Sequence, residues 1–451
     1  MKTRPNLLVI LSDQHGRPFS SCYGHPHVRT PNLDRLAARG LRFDNAYCNS
    51  PLCVPSRSAL MTGKRVSTLG VWDNNTILGS GEPTLGHHLR GAGYDAVLCG
   101  RMHFNGDDKL HGFARQIASD PDANASIPEW EAGGRVEGHQ LRSLPADAGS
   151  GMALDDTAEE KAISHVRSKE DSDTPWALIV GFKHPHRPWN AEQRFWDLYD
   201  EAALDLPGEP GPGDHHPVHD RNRLLRRMLE EGFPEKVIRH ARAGYYASIS
   251  RMDEKVGSIL DALDASGQAE RTLVVYTSDH GTMLGDHGLW MKSSLFENSA
   301  GVPLILAGPG IPNGTRNENV SLMDLTATLT EISGGDPSEM DGRSLTGVID
   351  GTGRWDNYAL CEYYATWTDR PMAALRRDHH KIMASVDEAP QVFDLEADPG
   401  ETRDLSALES CREIRAALSA ELAALWNGDG LRRTVLDSQR ARLAAQRGSS
   451  A

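Results

Sequence analysis

Short apolar runs recur along the chain and limit the folds that it can adopt. They are NLLVIL, WALIVGF, TLVVYT and PLILAG, which begin at Asn6, Trp176, Thr272 and Pro303. Continuous apolar runs of this length are typical of strands that helices cover on both faces. A helical pattern follows the first run, with Thr30 as its N-cap and Gly40 as its stop signal. The pattern predicts an α/β protein with a large, mostly parallel sheet flanked by helices.

One long helical stretch, from Pro234 to Leu263, leads directly into TLVVYT. A crossover helix that feeds a parallel strand has this arrangement. Two polar segments rich in Pro and Gly, residues 118–151 and 206–220, read instead as long loops. Such loops often form the rim of an active site, and we expect them to do so here.

The sequence pattern changes after about Trp355. Hairpin-like pieces and an amphipathic helix predict a small α+β domain with antiparallel strands. We therefore divide the chain into a large domain at residues 1–354, a small C-terminal subdomain at residues 355–430 and a helical tail at residues 431–451. The tail is basic, and we expect it to fray.

Charge and cysteine content limit the classes of partner, substrate and compartment that we expect for this protein. The 451 residues include 48 Lys and Arg against 63 Asp and Glu, a net charge of −15. Nucleic acid is therefore not an expected partner, and an anionic substrate would need a local cluster of cations. The six cysteines lack the paired spacings of a disulfide framework or a zinc site, which fits a reducing compartment. The apolar run that ends at Leu11 is too short for a signal peptide or membrane span, so we expect a cytoplasmic protein without a membrane partner.

Polar residues follow two of the predicted strands at the point where each ends. Asp13 and Gln14 follow the first strand, and Asp279 and His280 follow TLVVYT. Because ligands in open α/β sheets collect at the carboxyl ends of strands, these four side chains are expected to meet. Three oxygen-bearing side chains and one imidazole suit a divalent cation: Ca²⁺ is the expected ion, with Mn²⁺ or Mg²⁺ as alternatives. Either motif alone would indicate only a capped turn, but two parallel copies favour metal.

The segment PLCVPSRSALMTG contains the candidate nucleophile, Cys53. A short helix is predicted from Pro55 and Ser56 to Gly63, so the cysteine lies at a helix N-terminus, where amide groups stabilise an anion. Arg57 brings a fixed positive charge to the same place. A lone cysteine is usually a small buried hydrophobe. Here the neighbouring residues favour an anion-binding catalytic site.

CVPSRSALMTG resembles the signature of the type I, formylglycine-dependent sulfatases, in which the cysteine is oxidised to formylglycine. Four further segments resemble sulfatase segments in sulfatase order: GYDAVLCGRMHF, FKHPHRPW, SDHGTMLGDHGLWMK and VFDLEADPGETRDL. GRMHF with the following HGF, and VLDSQRAR near the end, look most like choline sulfatases and related hydrolases of the alkaline phosphatase superfamily. The resemblance covers nearly the whole chain. It implies an alkaline-phosphatase-like fold, a catalytic large domain and a sulfuric ester hydrolase.

The resemblance also implies a mechanism and a partner, the formylglycine-generating enzyme that would oxidise Cys53. The formylglycine hydrates to a geminal diol; one hydroxyl attacks sulfur and the other expels sulfate. One divalent cation lowers the pKa of the diol and binds a sulfate oxygen. The family's metal-binding positions match Asp13, Gln14, Asp279 and His280.

Further roles are carried over from the matched motifs. Lys292 would bind the sulfate and leaving-group oxygens, His186 would act as general acid, and His103 would hydrogen-bond the formylglycine hydroxyl. Arg101 departs from the lysine that relatives have two residues before that histidine, but it keeps the positive charge. We expect Arg101 to support the sulfate or the diol.

Substrate-side residues are predicted on the loops. His184 and Trp189 flank His186, and Trp130 on the 118–151 loop would offer an aromatic face to a quaternary ammonium group. The expected substrate is an alkyl or aryl sulfate monoester, with a choline-O-sulfate-like ester as one form. A homo-oligomer stays open. Two alternatives stay open as well: a phosphonate monoester or phosphodiester hydrolase of the same fold, and a catalytically silent protein that binds an anionic ligand.

Overall fold

Two β-sheets and the helices around them make up the fold. The computed structural model describes residues 4–120, 152–208, 216–225, 233–366, 368 and 370–449. The strands of the large sheet are β1 (Asn6–Asp13), β2 (Leu41–Tyr47), β3 (Asp95–Gly100), β4 (Arg115–Gln116), β5 (Trp176–Pro185), β6 (Thr272–Ser278), β7 (Leu304–Ala307) and β8 (Gly314–Ser321). Their order across the sheet is β4-β3-β5-β1-β6-β7-β2-β8.

The large sheet is mixed and mostly parallel, which confirms the predicted fold class. Only β7 runs against its neighbours among these eight described strands, since it pairs antiparallel with both β6 and β2. Every residue of the central strand β1 is buried. The apolar run PLILAG predicts β7 but not its direction, because an antiparallel strand buried on both faces has the same composition.

Helices cover both faces of the large sheet. They are α1 (Pro31–Ala38), α2 (Cys53–Thr62), α3 (Val66–Leu69), α4 (Leu85–Gly91), α5 (Met152–Ser168), α6 (Gln193–Trp196), α7 (Pro217–Leu225), α8 (Glu235–Ala265), α9 (Glu297–Ala300), α10 (Leu322–Ile332) and α11 (Thr346–Ile349). The long helix α8 leads into β6, as its pattern predicts. Among the described residues, no helix combines the length and hydrophobicity that a membrane crossing requires.

The N-terminus of α1 shows how helices are tied together. Thr30 stands at its N-cap position but makes no side-chain capping hydrogen bond. The buried carboxylate of Asp253, on α8, accepts from the backbone N–H of Asn32 at 3.0 Å and of Leu33 at 2.8 Å. The unpaired amide groups of α1 are therefore satisfied by a neighbouring helix rather than by a local cap.

The small sheet contains β9 (Tyr358–Tyr363), β10 (Met372–Arg377), β11 (His380–Ser385) and β12 (Gln391–Asp394). Their order is β12-β11-β10-β9 and every pair is antiparallel, as predicted. Helix α12 (Arg412–Leu425) packs on this sheet through Leu418 and Leu422. The exact domain boundaries stay predictions.

The last helix, α13 (Gly428–Ser449), is docked rather than frayed. Val435 is buried against residues that include Ala59 of α2 and Trp72. Arg442 forms two parallel hydrogen bonds to Asp73, both 2.7 Å long. The expectation of a fraying tail is therefore wrong over this stretch, because an apolar contact and a bidentate ion pair fix it to the large domain.

Candidate active site

The carboxyl ends of three neighbouring strands meet at one point of the large sheet. β1 lies between β5 and β6, with Ser12 opposite Ser278 and Asp13 opposite Pro185. The residues that follow these strands therefore share one edge. The structure brings Asp13, Asp279 and His280 together there, as the sequence predicts.

Helix α2 brings Cys53 to the same point. The helix begins at Cys53 itself, two residues earlier than expected, and ends at Gly63, whose φ of 69° is left-handed. The Cys53 Sγ atom lies 3.9 Å from Asp13 Oδ1 and 3.3 Å from His280 Nε2. Ser56 donates a hydrogen bond to the carbonyl oxygen of Asp279, which fixes α2 to the end of β6.

Asp13, Cys53, Asp279 and His280 form a compact set of ligand atoms. One atom from each lies within 4.8 Å of the others, and all four residues are buried. His280 Nδ1 and the Gly281 carbonyl oxygen are 2.9 Å apart, so the ring donates there and Nε2 faces the cluster. The set supplies carboxylate oxygens, an imidazole nitrogen and the side chain at position 53, which suits a divalent cation.

Gln14 joins this set through a left-handed backbone, with φ of 72°. Its backbone N–H donates to Asp279 Oδ1 at 3.0 Å. Its side-chain oxygen accepts from Lys292 Nζ at 3.1 Å, so both residues reach the centre. A non-glycine residue held at positive φ costs free energy, and such strain concentrates at functional sites.

Two buried arginines bind the outer oxygens of the aspartates. Arg57 Nε donates to Asp279 Oδ2 at 2.8 Å, and its Nη2 donates to Asp13 Oδ2 at 3.2 Å. Arg101 Nε donates to Asp13 Oδ2 at 2.6 Å. The Oδ1 atoms of both aspartates lie within 4.0 Å of His280 Nε2. Arg57 thus orients the aspartates, because its guanidinium lies against their carboxylates.

The charges of the cluster fit a bound cation. Burial and then repulsion from Asp13 raise the pKa of Asp279 above its usual range, although His280 and Arg57 oppose this. Such repulsion between two buried carboxylates is relieved by a shared divalent ion. The residues present therefore fit the metal that the sequence predicts.

The Cys53 side chain lies in a cationic environment. Lys292 Nζ is 3.1 Å from Cys53 Sγ. Burial and Asp13 act to raise the pKa of the thiol, but Lys292, His280 and a hydrogen bond from His103 hold it well below its usual range. Position 53 is thus built to carry negative charge.

Two further histidines lie around this centre. His103 has a left-handed φ of 60°, and its ring nitrogen Nδ1 lies 3.3 Å from Arg101 Nη2. His186 follows β5, and its Nδ1 lies 2.7 Å from the Arg187 carbonyl oxygen. Burial lowers the pKa of His186, Lys292 and Arg101 lower it further, and Asp13 acts in the opposite direction.

The two predicted substrate-side residues that the structure describes, His184 and Trp189, make interior contacts. His184 is buried, with Nδ1 2.5 Å from Asp155 Oδ2 and Nε2 3.1 Å from the Asn190 carbonyl oxygen. Trp189 is 1% exposed and packs against Tyr245 and Trp290. Both side chains make these interior contacts, and their substrate-side role stays a prediction. Trp130 lies outside the described residues.

Two aspartates that hold the site loops have no sequence signal. Asp120 Oδ2 accepts from the backbone N–H of His103 at 2.6 Å. Asp155 accepts from the backbone N–H of Lys183 at 2.6 Å and of His184 at 3.0 Å. Their partners are distant in sequence, and nothing separates Asp155 from its neighbour in the segment ALDDTAEE.

The fold and site define a hydrolase of the alkaline-phosphatase-like class, with a metal-ligand cluster at the carboxyl edge of a mixed sheet. A sulfatase family model matches residues 5–335, and a model described as N-sulphoglucosamine sulphohydrolase, C-terminal, matches residues 285–427. The chain belongs to the sulfatase family. The expected class of enzyme, a sulfuric ester hydrolase, is thereby confirmed.

Individual relatives agree with this assignment. The chain is 36% identical to a choline-sulfatase of Rhizobium meliloti, over 97% of this chain and 90% of the relative. It is 28% identical to an arylsulfatase of Clostridium perfringens, over 93% of this chain and 94% of the relative.

Solved structures share the fold. A phosphonate monoester hydrolase of Agrobacterium radiobacter superposes with a TM-score of 0.76 at 23% identity, over 94% of this chain and 95% of that one. A 2-O GAG sulfatase superposes with a TM-score of 0.74 at 23% identity, over 97% of this chain and 94% of that one. These likenesses concern the architecture alone.

Proposed function

We propose that the protein hydrolyses a sulfate monoester with formylglycine at position 53 and one divalent cation. The observation that carries this proposal is the position of Cys53 Sγ, 3.3 Å from His280 Nε2 and 3.1 Å from Lys292 Nζ. The sulfur atom stands where the oxygens of a hydrated formylglycine would be. Asp13, Gln14, Asp279 and His280 would hold the cation, which supplies Lewis-acid stabilisation of a sulfate oxygen when bound.

The formylglycine hydrate, when present, supplies a nucleophilic hydroxyl and a second hydroxyl whose loss of a proton releases sulfate. The chain's own residues do the remaining work. Lys292 offsets the negative charge of the sulfate, and His186 gives a proton to the departing alcohol oxygen. His103, which is hydrogen-bonded to the side chain at position 53, orients the second hydroxyl, whose proton passes to bulk water as sulfate leaves. Arg57 and Arg101 keep Asp13 in place.

The expected substrate is an alkyl or aryl sulfate, and a choline-O-sulfate-like ester is the alkyl ester that we favour. Its support is the 36% identity to a relative named choline-sulfatase over nearly the whole chain. A panel of sulfate esters that includes choline sulfate tests it. A higher kcat/KM for choline sulfate than for uncharged alkyl sulfates is expected, and equal values would contradict it.

The reaction class is tested by comparing initial rates on nitrophenyl sulfate and on a nitrophenyl phosphonate ester. The phosphonate reaction is the second candidate, because the fold is shared with a phosphonate monoester hydrolase. We expect the sulfate ester to be the faster substrate. A far faster phosphonate ester would overturn the sulfatase proposal, and no turnover of either by converted protein would leave the silent anion-binding alternative.

Ca²⁺ is the expected ion, since oxygen ligands predominate, with Mn²⁺ or Mg²⁺ as alternatives. Metal analysis of protein purified without added chelator distinguishes them. The formylglycine-generating enzyme is the proposed partner and the cytoplasm the proposed compartment. Co-expression with and without that enzyme, followed by activity measurement, tests the first.

A further inference from the structure

The small sheet carries a second cluster of metal-ligating side chains, apart from the active site. His380 lies opposite Asp394 in the pairing of β11 with β12. His379 belongs to the turn that joins β10 to β11. One ligand atom from each of the three lies within 4.8 Å of the others, and the cluster is partly exposed. Strand pairing and a tight turn therefore bring two imidazoles and one carboxylate together.

The carboxylate of this cluster is held in a fixed orientation. Asp394 Oδ1 accepts from the backbone N–H of Glu396 at 3.0 Å and of Ala397 at 3.2 Å. Both bonds use Oδ1, so Oδ2 remains available as a ligand. The two imidazole rings have centroids 4.1 Å apart. Within the described part of the chain, neither ring forms a hydrogen bond, so their nitrogens are not committed to other partners.

We propose that His379, His380 and Asp394 form a binding site for a divalent transition-metal ion, Zn²⁺ in the first instance. Two imidazole nitrogens and one carboxylate oxygen are a ligand set that Zn²⁺ accepts, with water in the fourth position. Ca²⁺ and Mg²⁺ prefer oxygen ligands, so the cluster discriminates against the ions expected at the active site.

The position of this site gives it a structural role. The turn contacts the large sheet, because Asn319 of β8 donates to the Asp378 carbonyl oxygen at 2.9 Å. Asn357 donates to Asp378 Oδ1 at 2.8 Å. An ion held by His379, His380 and Asp394 would cross-link this turn to β12, next to the junction of the two sheets. An ion that binds the folded state but not the unfolded chain stabilises the folded state by mass action.

Calorimetric titration of the full-length protein with Zn²⁺, in excess Ca²⁺, tests the site. The wild type is compared with the double variant His379→Asn/His380→Gln. The matched control is His27→Asn, a partly exposed histidine whose Nε2 lies 3.9 Å from Asp205 Oδ1. We expect the wild type and the control to bind one equivalent of Zn²⁺ more than the double variant. Zn²⁺ bound at Cys53 is common to all three proteins, so it cancels when the stoichiometry of the double variant is subtracted from that of the wild type.

Two further measurements keep the test decisive. Zn²⁺ should raise the Tm of the wild type and of the control by more than that of the double variant. Asp394→Asn alone should weaken Zn²⁺ binding at this site by about tenfold or more, since it removes one of three ligands. Equal stoichiometry and affinity in the wild type and both ligand variants would overturn the proposal. Loss of the same equivalent in the His27→Asn control would overturn it too.

Discussion

Arg57 and Arg101 hold the outer oxygens of the aspartates that would bind the cation. The guanidinium groups donate to the Oδ2 atoms of Asp13 and Asp279. The Oδ1 atoms of both aspartates therefore face His280 and position 53. The planar fork of arginine fixes this division of the carboxylates better than a lysine would. At the scale of single residues, the site is therefore a set of oriented carboxylates with a nucleophile placed against them.

His186 is the proposed proton donor to the departing alcohol, and the leaving group reports on that role. An alkyl alcohol needs the proton, whereas nitrophenolate leaves without it. In His186→Ala we expect kcat for an alkyl sulfate to fall by about 10²–10⁴-fold, the usual contribution of general acid catalysis. The fall for nitrophenyl sulfate should be much smaller. Steady-state rates on both esters check this, and equal falls would contradict the role.

At the scale of elements, a buried ionic cluster joins the small sheet to the loops that carry the site. Glu297 contacts Arg17 at 2.7 Å, Arg376 at 3.3 Å and Lys381 at 3.0 Å. Lys381 also contacts Glu401 at 2.7 Å. The small sheet supplies Arg376 and Lys381. Burial alone would raise the pKa of Glu297, but the three cations hold it well below its usual range.

Lys381→Met tests the contribution of this cluster. The variant leaves two buried carboxylates short of a partner, so we expect the free energy of unfolding to fall by about 3–5 kcal/mol. Activity should fall as well, because Arg17 follows Gln14 by three residues and Glu297 follows Lys292 by five. Denaturant titration and initial rates measure the two effects. Arg412→Ala, in an exposed pair with Glu409, is the control and should change the stability little. A Lys381→Met protein as stable as this control would contradict the account.

The junction of α1 and α8 should depend on pH through Asp253. Burial raises the pKa of Asp253 to about 6, against hydrogen bonds from Asn32 and Leu33 that act to lower it. The folded protein therefore keeps a proton on Asp253 that the unfolded chain loses near pH 4. As the pH rises from about 4 to about 6, the contribution of Asp253 to the stability of the folded state declines. Asp253→Asn does not titrate. Its destabilisation relative to wild type should shrink by roughly 3 kcal/mol over that range.

Unfolding free energies of both proteins at several pH values measure this difference. Asp261→Asn is the control, because Asp261 lies on the same helix and its side chain is 65% exposed beside Arg35. The difference between this control and the wild type should stay flat. A flat difference for Asp253→Asn as well would show that burial does not govern the carboxyl group.

Metal binding links the site to the stability of the protein. Exhaustive treatment with a chelator should abolish sulfatase activity and lower the Tm, and added Ca²⁺ should restore both. An ion at a hundred times its Kd contributes about 2.7 kcal/mol to the folded state. Activity assays and thermal scans before and after treatment measure the two effects together. Full activity in metal-free protein would contradict the proposed role of Asp13 and Asp279.

Much of this architecture follows from the sequence because burial and strand ends leave local signals. The apolar runs predict β1, β5, β6 and β7, and the polar residues that follow β1 and β6 predict a meeting point. The direction of β7 leaves no such signal, since it depends on contacts with distant strands. The same is true of the docked α13, whose Arg442 contacts Asp73. The surroundings of His184 and Trp189 leave no such signal either, because a histidine or tryptophan beside a site residue looks the same in the sequence whether it faces inward or outward.

The proposed reaction depends on an oxidised side chain at position 53. The most direct test is the mass of the tryptic peptide from Phe43 to Arg57, taken from active protein after alkylation of its thiols. The peptide also contains Cys48, which is buried, has no proposed role in the reaction and serves as an internal control. We predict formylglycine at position 53 and an alkylated thiol at position 48, with specific activity proportional to the converted fraction. An alkylated thiol at position 53 in fully active protein would contradict the account.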